Sequence, residues 1–373
     1  MTDIFDYLYW RGDLSTDAVP LNEVDGMIFA RIAYFPFEKT DLLCKERRIT
    51  VADAARHLLE CDAAMCEIRQ KKDIPLLRAL CNSKRFGNIR IADFESKTDI
   101  PSQTQFAAVT FCLEDGSLYI SYRGTDNSLV GWKEDFNMSF VCPVAGQVLA
   151  MEYLDRAAAQ HDNCEITVLG HSKGGNFAVY AAAFCNAATQ ARIRAVYNYD
   201  GPGFDDKVLR TDGYRAVCKA VNTFVPQSSV VGMLLGHEEA YTIVHSEQVG
   251  IMQHDLFSWE VRRDGFACLE SVDNSSRFIN YTLKSWIADM DYAQRETFTD
   301  SIYTILTETN ASTLRELSAS WFESAKSVAK SLNNLDEPTR RALTQALSLL
   351  AKSAKSGLSQ MIETGKAEKC EPQ

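Results

Sequence analysis

The sequence predicts an α/β protein: a mostly parallel central sheet with helices on both faces, and helical additions at both ends. Three observations carry that expectation. Short apolar, β-branched runs alternate with helical patterns between residues 106 and 245, as crossover connections in a parallel sheet require. One stretch, Ile166-Thr-Val-Leu-Gly170-His171-Ser172-Lys173-Gly174-Gly175 onward to Ala183, runs from a buried strand through a sharp turn into an Ala-rich helix. On either side of this core, apolar residues recur at helical rather than strand spacing. The expected division is therefore a helical N-terminal region (1–87) packed on the core, a core (88–260) and a helical C-terminal extension (261–373).

In chain order, residues 1–22 read as a short helix and a loop, and Val24 to Phe35 as a helix stopped by Pro36. Thr50-Val-Ala-Asp53 looks like a capping box with Asp in place of Glu, opening a helix to about Gln70. Pro75 starts another, to about Lys84. Asn88–Lys97, Phe106–Leu113 and Ser117–Tyr122 read as strands, the last two joined by the hairpin turn Glu114-Asp115-Gly116. Gln147–Gln160 is a helix, Glu165–Leu169 a strand and Asn176–Thr189 a helix. Arg194–Tyr199, Ala220–Val225 and Glu239–His245 complete the strands, and a loop around His254 follows. Amphipathic spacing then predicts helices over Asn274–Ala293, Arg295–Thr309, Thr313–Leu332 and Pro338–Ile362. A docked extension, a cap, a partner-binding surface and a homo-oligomer formed through these helices all stay open as roles.

Composition narrows the function classes. The 373 residues are 46% hydrophobic and 24% charged, ordinary for a globular protein. A net charge of −11 argues against nucleic acid or an anionic membrane as an electrostatic partner, but not against a neutral ester or lipid. Eleven scattered cysteines with no C-x-x-C pair, behind an N-terminus without signal-peptide character, point to a reducing cytoplasm. No apolar run is long enough for a transmembrane helix, and no Cys/His spacing suggests a metal. No cofactor is implied.

Gly170-His171-Ser172-Lys173-Gly174 has the strand–turn–helix context of a nucleophile elbow, G-x-S-x-G. Gly170 and Gly174, backed by Gly175, fit because strand and helix approach too closely there for a Cβ. A serine hydroxyl needs a base, and the base needs an orienting group. The α/β-hydrolase chain order is Ser, acid, His, so both are sought downstream. Asp200 ends a strand and opens the loop Gly201-Pro-Gly-Phe204, on the sheet edge where the elbow points; the alternative is an Asx-turn residue. Of six histidines, His254 is the first candidate base, His245 the second and His237 the third, while His171 is expected to pack beside the nucleophile. An oxyanion hole needs two N–H groups; those of Lys173 and Thr125, after the strand end Ser121-Tyr-Arg-Gly124, are the candidates. The alternative at Thr125 is a plain turn with an Arg123–Asp126 ion pair.

At these residues the chain resembles class 3 lipases. Tyr122-Arg-Gly-Thr125 resembles that family's aromatic-Arg-Gly-Thr/Ser turn, Trp132 and Asp135 its Trp-x-x-Asp pair, and residues 170–175 its Gly-His-Ser-x-Gly-Gly elbow. The resemblance implies an oxyanion-hole role for Thr125. The chain is more similar still to a bacterial α/β-hydrolase family of unknown function, marked by Asp6-Tyr-Leu-Tyr-Trp-Arg-Gly-Asp-Leu14, the Gly-His-Ser-Lys-Gly-Gly elbow, Asp200-Gly-Pro-Gly-Phe204 and Gln253-His254-Asp-Leu-Phe-Ser-Trp259. Residues 5–260 carry this likeness. Three features depart from class 3 lipases. Gly131 precedes Trp132, and Val225-Pro-Gln-Ser-Ser-Val-Val-Gly232, where that family has its acid, holds no carboxylate. Asp200 instead resembles the pancreatic-lipase arrangement. Lys173, where lipases commonly carry an apolar residue, either favours an anionic acyl group or points to solvent. The implied activity is that of a serine hydrolase, esterase- or lipase-like, cleaving an acyl ester or thioester through an acyl-enzyme; amide cleavage uses the same groups. The competing expectation is a non-catalytic binding protein on the same fold.

Overall fold

The computed structural model describes residues 1–40, 49–68, 70–126, 129–307, 337, 339–341, 343–349 and 352–353. The expected helix Thr313–Leu332 lies outside the described residues, as does much of Pro338–Ile362. The chain forms two units, one of residues 1–97, 106–124 and 146–272, the other of 98–105, 125–145 and 273–373.

The first unit begins with α1 (Ile4–Arg11) and α2 (Glu23–Ile32). Each opens on a reciprocal cap, Asp3 with Asp6 and Asn22 with Asp25. Every residue of α2 from Val24 to Ile32 is buried, so this helix is covered on all sides. Its two buried charges are paired: Asp25 binds Arg85 at 2.6 Å, and Arg31 binds Asp73 through Nε and Nη2 at 2.7 and 2.5 Å. The helix expected to run from Thr50 to Gln70 is two, α3 (Val51–Glu60) and α4 (Asp62–Glu67), broken where Cys61 turns extended. Asp53 takes the Thr50 hydroxyl at 2.7 Å, so Thr50 caps the helix one way only. Asp73–Asn82 is α5.

Among the described residues nine strands form one sheet in sequential order: β1 (Ile49–Thr50), β2 (Arg90–Asp99), β3 (Thr104–Cys112), β4 (Leu118–Tyr122), β5 (Ile166–His171), β6 (Ile193–Tyr199), β7 (Val221–Pro226), β8 (Tyr241–Val244) and β9 (Cys268–Leu269). Strands β4 to β8 are mutually parallel, and β3 and β9 flank them antiparallel. The crossovers use α7 (Ala145–Gln160), α8 (Lys173–Phe184), α9 (Ala187–Gln190), α10 (Asp206–Leu209) and α11 (Asp212–Val217); α6 (Leu129–Asn137) belongs to the other unit.

Sequential parallel strands joined by right-handed crossovers place their helices on one face, so the opposite face needs another cover. The N-terminal helices supply it. In β6, Asn198 meets α8, where an added Cβ on Gly175 would lie 2.1 Å from its Oδ1. The next residue, Tyr199, donates its hydroxyl to the Glu23 carbonyl of α2 at 2.6 Å. Successive strand residues point to opposite faces, so α2 and α8 sandwich the sheet. The α/β-hydrolase fold, mostly parallel with helices on both faces, is thus as the sequence predicted.

The second unit contains α6, α12 (Asn274–Asp289) and α13 (Tyr292–Thr307). Its apolar centre is Trp286, Met290, Phe298, Leu343 and Ala346, with the Trp286 indole N–H donating to the Ala346 carbonyl at 2.8 Å. Lys133 of α6 pairs with Asp300 of α13 at 2.9 Å. Among the described residues no helix is long and apolar enough to cross a membrane.

Candidate active site

The elbow sits at the end of β5, whose six residues are all buried between β4 and β6. Ser172 has φ 60° and ψ −133°, a backbone conformation that L-residues rarely adopt. It is held there by its N–H, which donates to the Tyr199 carbonyl at 2.9 Å, and by its carbonyl, which accepts from Gly175 at 2.8 Å. Helix α8 starts at Lys173, so Ser172 lies at the positive end of its dipole. Strand and helix touch at the flanking glycines: a Cβ on Gly170 would fall 2.2 Å from the Gly174 carbonyl oxygen, which is backbone and cannot swing away. Gly170→Ala is expected to cost about 3 kcal/mol, the upper range for overpacking, read as a lowered denaturant midpoint.

Asp200 follows β6 with φ 52° and is 1% exposed. Its Oδ1 accepts from the Ser229 hydroxyl at 2.5 Å and from the Gly232 N–H at 3.1 Å, and its Oδ2 faces His254 Nδ1 at 2.6 Å. A carboxylate only accepts, so the His254 proton sits on Nδ1 and Nε2 carries the lone pair, as a general base requires. The expected loop around His254 is a 3₁₀ turn, Gly250–His254. Its buried residue Gln253 accepts from the Ser228 N–H at 2.7 Å and donates to the Gln248 carbonyl at 2.6 Å. Val249, Ile251 and Met252 of the same turn are exposed.

His171 packs beside the elbow. Its ring centroid is 4.4 Å from that of His254, its Nδ1 meets the Tyr34 hydroxyl at 2.9 Å, and its Nε2 meets the His254 carbonyl at 2.8 Å. Burial, and then the proximity of His254, hold its pKa well below the usual histidine value. Tyr34, Ser229 and Gly232 were not among the sequence candidates. The segment holding Ser229 and Gly232 was notable for lacking a carboxylate; it donates to one instead.

The other two candidate bases are engaged elsewhere. His245 Nδ1 faces Glu260 at 2.5 Å near the surface. His237 Nδ1 faces Glu239 at 2.9 Å, and Glu239 also accepts from Thr223 at 2.6 Å and Tyr214 at 2.5 Å. Burial pushes the Glu239 carboxyl up, but the bond and charge of His237, then Thr223 and Tyr214, outweigh it and hold the pKa at about 2. The stabilisation from this depressed carboxyl is present above about pH 4.5 and lost as pH falls towards 2. Glu239→Ala is therefore expected to cost about 3 kcal/mol at pH 7, because it strands buried donors. The deficit should shrink on acidification through that window, measured by denaturant melts against pH.

Gly124 lies against the nucleophile: a Cβ there would be 3.0 Å from Ser172 Cβ and 2.5 Å from the His171 carbonyl oxygen. Thr125, the next residue, belongs to the second unit, where its hydroxyl donates to Asp135 at 2.5 Å. The side chain of Trp132 is outside the described residues. Arg123 binds Glu38 at 3.1 Å and Ser96 at 3.2 Å, so it is engaged away from the Asp126 partner of the alternative reading. Lys173 does not point to solvent; it is 1% exposed, with Nζ 5.6 Å from the Phe177 ring centroid.

Solved structures similar to the chain include an MDLA mutant from Penicillium cyclopium, at 14% identity over 69% of this chain and 87% of that one, TM-score 0.39. The Rhizomucor miehei lipase propeptide complex is similar at 15% identity over 51% and 72%, TM-score 0.35. Lipase II from Rhizopus niveus is similar at 14% identity over 60% and 80%, TM-score 0.37. No curated protein sequence matches the chain. A family model described as Mbeg1-like matches residues 80–304, which span β2 to β9 and all of the Ser172, Asp200 and His254 constellation. The chain belongs to the Mbeg1-like family.

Proposed function

We propose that the protein is a serine hydrolase of the esterase or lipase type, with Ser172 as nucleophile, His254 as base and Asp200 as the group that orients it. The observation that carries this reading is the 2.6 Å contact of the buried Asp200 carboxylate with His254 Nδ1, beside a serine held at positive φ. His254 Nε2 takes the Ser172 hydroxyl proton as Oγ attacks the acyl carbon. The resulting oxyanion is stabilised by the N–H group of Lys173 and by the α8 dipole. The tetrahedral species collapses, His254 returns the proton to the leaving alcohol or thiol, and an acyl-enzyme remains. Water, deprotonated by His254, then releases the acid and restores Ser172. The exposed Val249, Ile251 and Met252 on the turn that ends at His254 favour an apolar acyl chain.

The reading is tested with p-nitrophenyl esters and acyl thioesters of rising chain length. The expected result is a burst of the first product followed by steady turnover, for at least one chain length. Absence of turnover across the whole panel contradicts it.

A further inference from the structure

The turn that carries His254 is anchored through Gln253, whose side chain bonds Ser228 and Gln248 and whose carbonyl accepts from the Trp259 indole N–H at 2.8 Å. Its two apolar side chains, Ile251 and Met252, are exposed, and Gln253 is its buried residue. Asp200 fixes one ring nitrogen of His254, but the position of the ring also depends on the backbone beneath it. That backbone is held by His171, whose Nε2 lies 2.8 Å from the His254 carbonyl. We propose that His171 is a positioning residue for the base: it donates Nε2–H to the His254 carbonyl, in a tautomer set by the Tyr34 hydroxyl at its Nδ1. The inference rests on His254 being the base of the proposed hydrolase.

The chemistry fixes the direction of each bond. A carbonyl can only accept, so Nε2 of His171 carries the proton. In a neutral ring Nδ1 is then an acceptor, and the Tyr34 hydroxyl at 2.9 Å is its donor. Tyr34 is itself braced. The Arg31 guanidinium lies 4.9 Å from the Tyr34 ring centroid and 5.2 Å from that of Phe257, and its Nε–Nη2 edge is tied to Asp73. A continuous chain of contacts thus runs from α5 and α2, through Tyr34 and His171, to the backbone of the base. Neutrality matters to the role. The rings of His171 and His254 are 4.4 Å apart, so a charged His171 would oppose the imidazolium that forms on His254 when it takes the serine proton. Burial keeps His171 neutral; Arg31 opposes its protonation too.

The test combines His171→Leu, His171→Gln and Tyr34→Phe with ring-nitrogen NMR of the wild type. His171→Leu removes the donor and is expected to lower kcat roughly tenfold with KM within about twofold, as loss of one buried hydrogen bond implies. His171→Gln keeps a donor at similar reach and should recover most of that loss. Tyr34→Phe frees the tautomer and should lower kcat severalfold. The His171 ring-nitrogen shifts should show a protonated Nε2 and a bare Nδ1 at neutral pH. A folded His171→Leu with wild-type kcat, or a wild-type ring protonated on Nδ1, overturns the proposal. If the leucine variant does not fold, Tyr34→Phe and the tautomer decide. A wild type without turnover overturns the hydrolase reading instead, and the NMR measurement still decides the His171 contact.

Discussion

Asp200→Asn is expected to lower kcat about ten-thousandfold, with KM and stability little changed, because the amide imposes the wrong histidine tautomer. The surroundings dictate which way an Asn would sit. Oδ1 of Asp200 accepts from the Ser229 hydroxyl and the Gly232 N–H, so an Asn keeps its carbonyl oxygen there. Its NH₂ then replaces Oδ2 opposite His254 Nδ1, the 2.6 Å contact. Nδ1 must become the acceptor, the ring proton moves to Nε2, and the base presents N–H to Ser172 instead of a lone pair. Steady-state kinetics on the best ester of the panel measures the loss, and a circular-dichroism melt confirms the fold. A kcat within tenfold of wild type would remove Asp200 from the mechanism and point to a different acid.

Ser172→Ala is expected to lower kcat by about a millionfold, the scale seen when the nucleophile of such a unit is removed. The methyl group occupies the same space and leaves the hydrogen bonds of the backbone N–H and carbonyl in place. The elbow should therefore persist, and substrate should still bind. Loss of turnover with retained binding separates a missing nucleophile from a damaged site.

Much of this arrangement was legible in the sequence because its carriers are local. The apolar runs of β3 to β8 are long enough to show their period, and Gly170 to Gly175 spells both the turn and the close approach that needs it. Chain order and strand-end position placed Asp200 and His254, which the structure brings together. What stayed hidden is short or long-range. The strands β1 and β9 are two residues each, too short for any alternation. The break at Cys61 has no glycine or proline to announce it. Leu129–Asn137 was read as a motif, and its helix went unseen beneath the signature residues. Tyr34 lies 137 residues from its partner His171, and Ser229 lies 29 from Asp200, so no spacing rule links them. His245 and His237 rival His254 in the sequence because all three histidines follow Asp200 in chain order. Only the fold shows that Glu260 and Glu239 have claimed them.

That Ser172 is an activated nucleophile is tested by its reaction with a fluorophosphonate probe. The probe phosphonylates a serine only when a neighbouring base has raised its nucleophilicity. Wild type is expected to be labelled stoichiometrically at Ser172, Ser172→Ala not at all, and Asp200→Asn far more slowly. An unlabelled wild type, or equal labelling of Ser172→Ala, would contradict it.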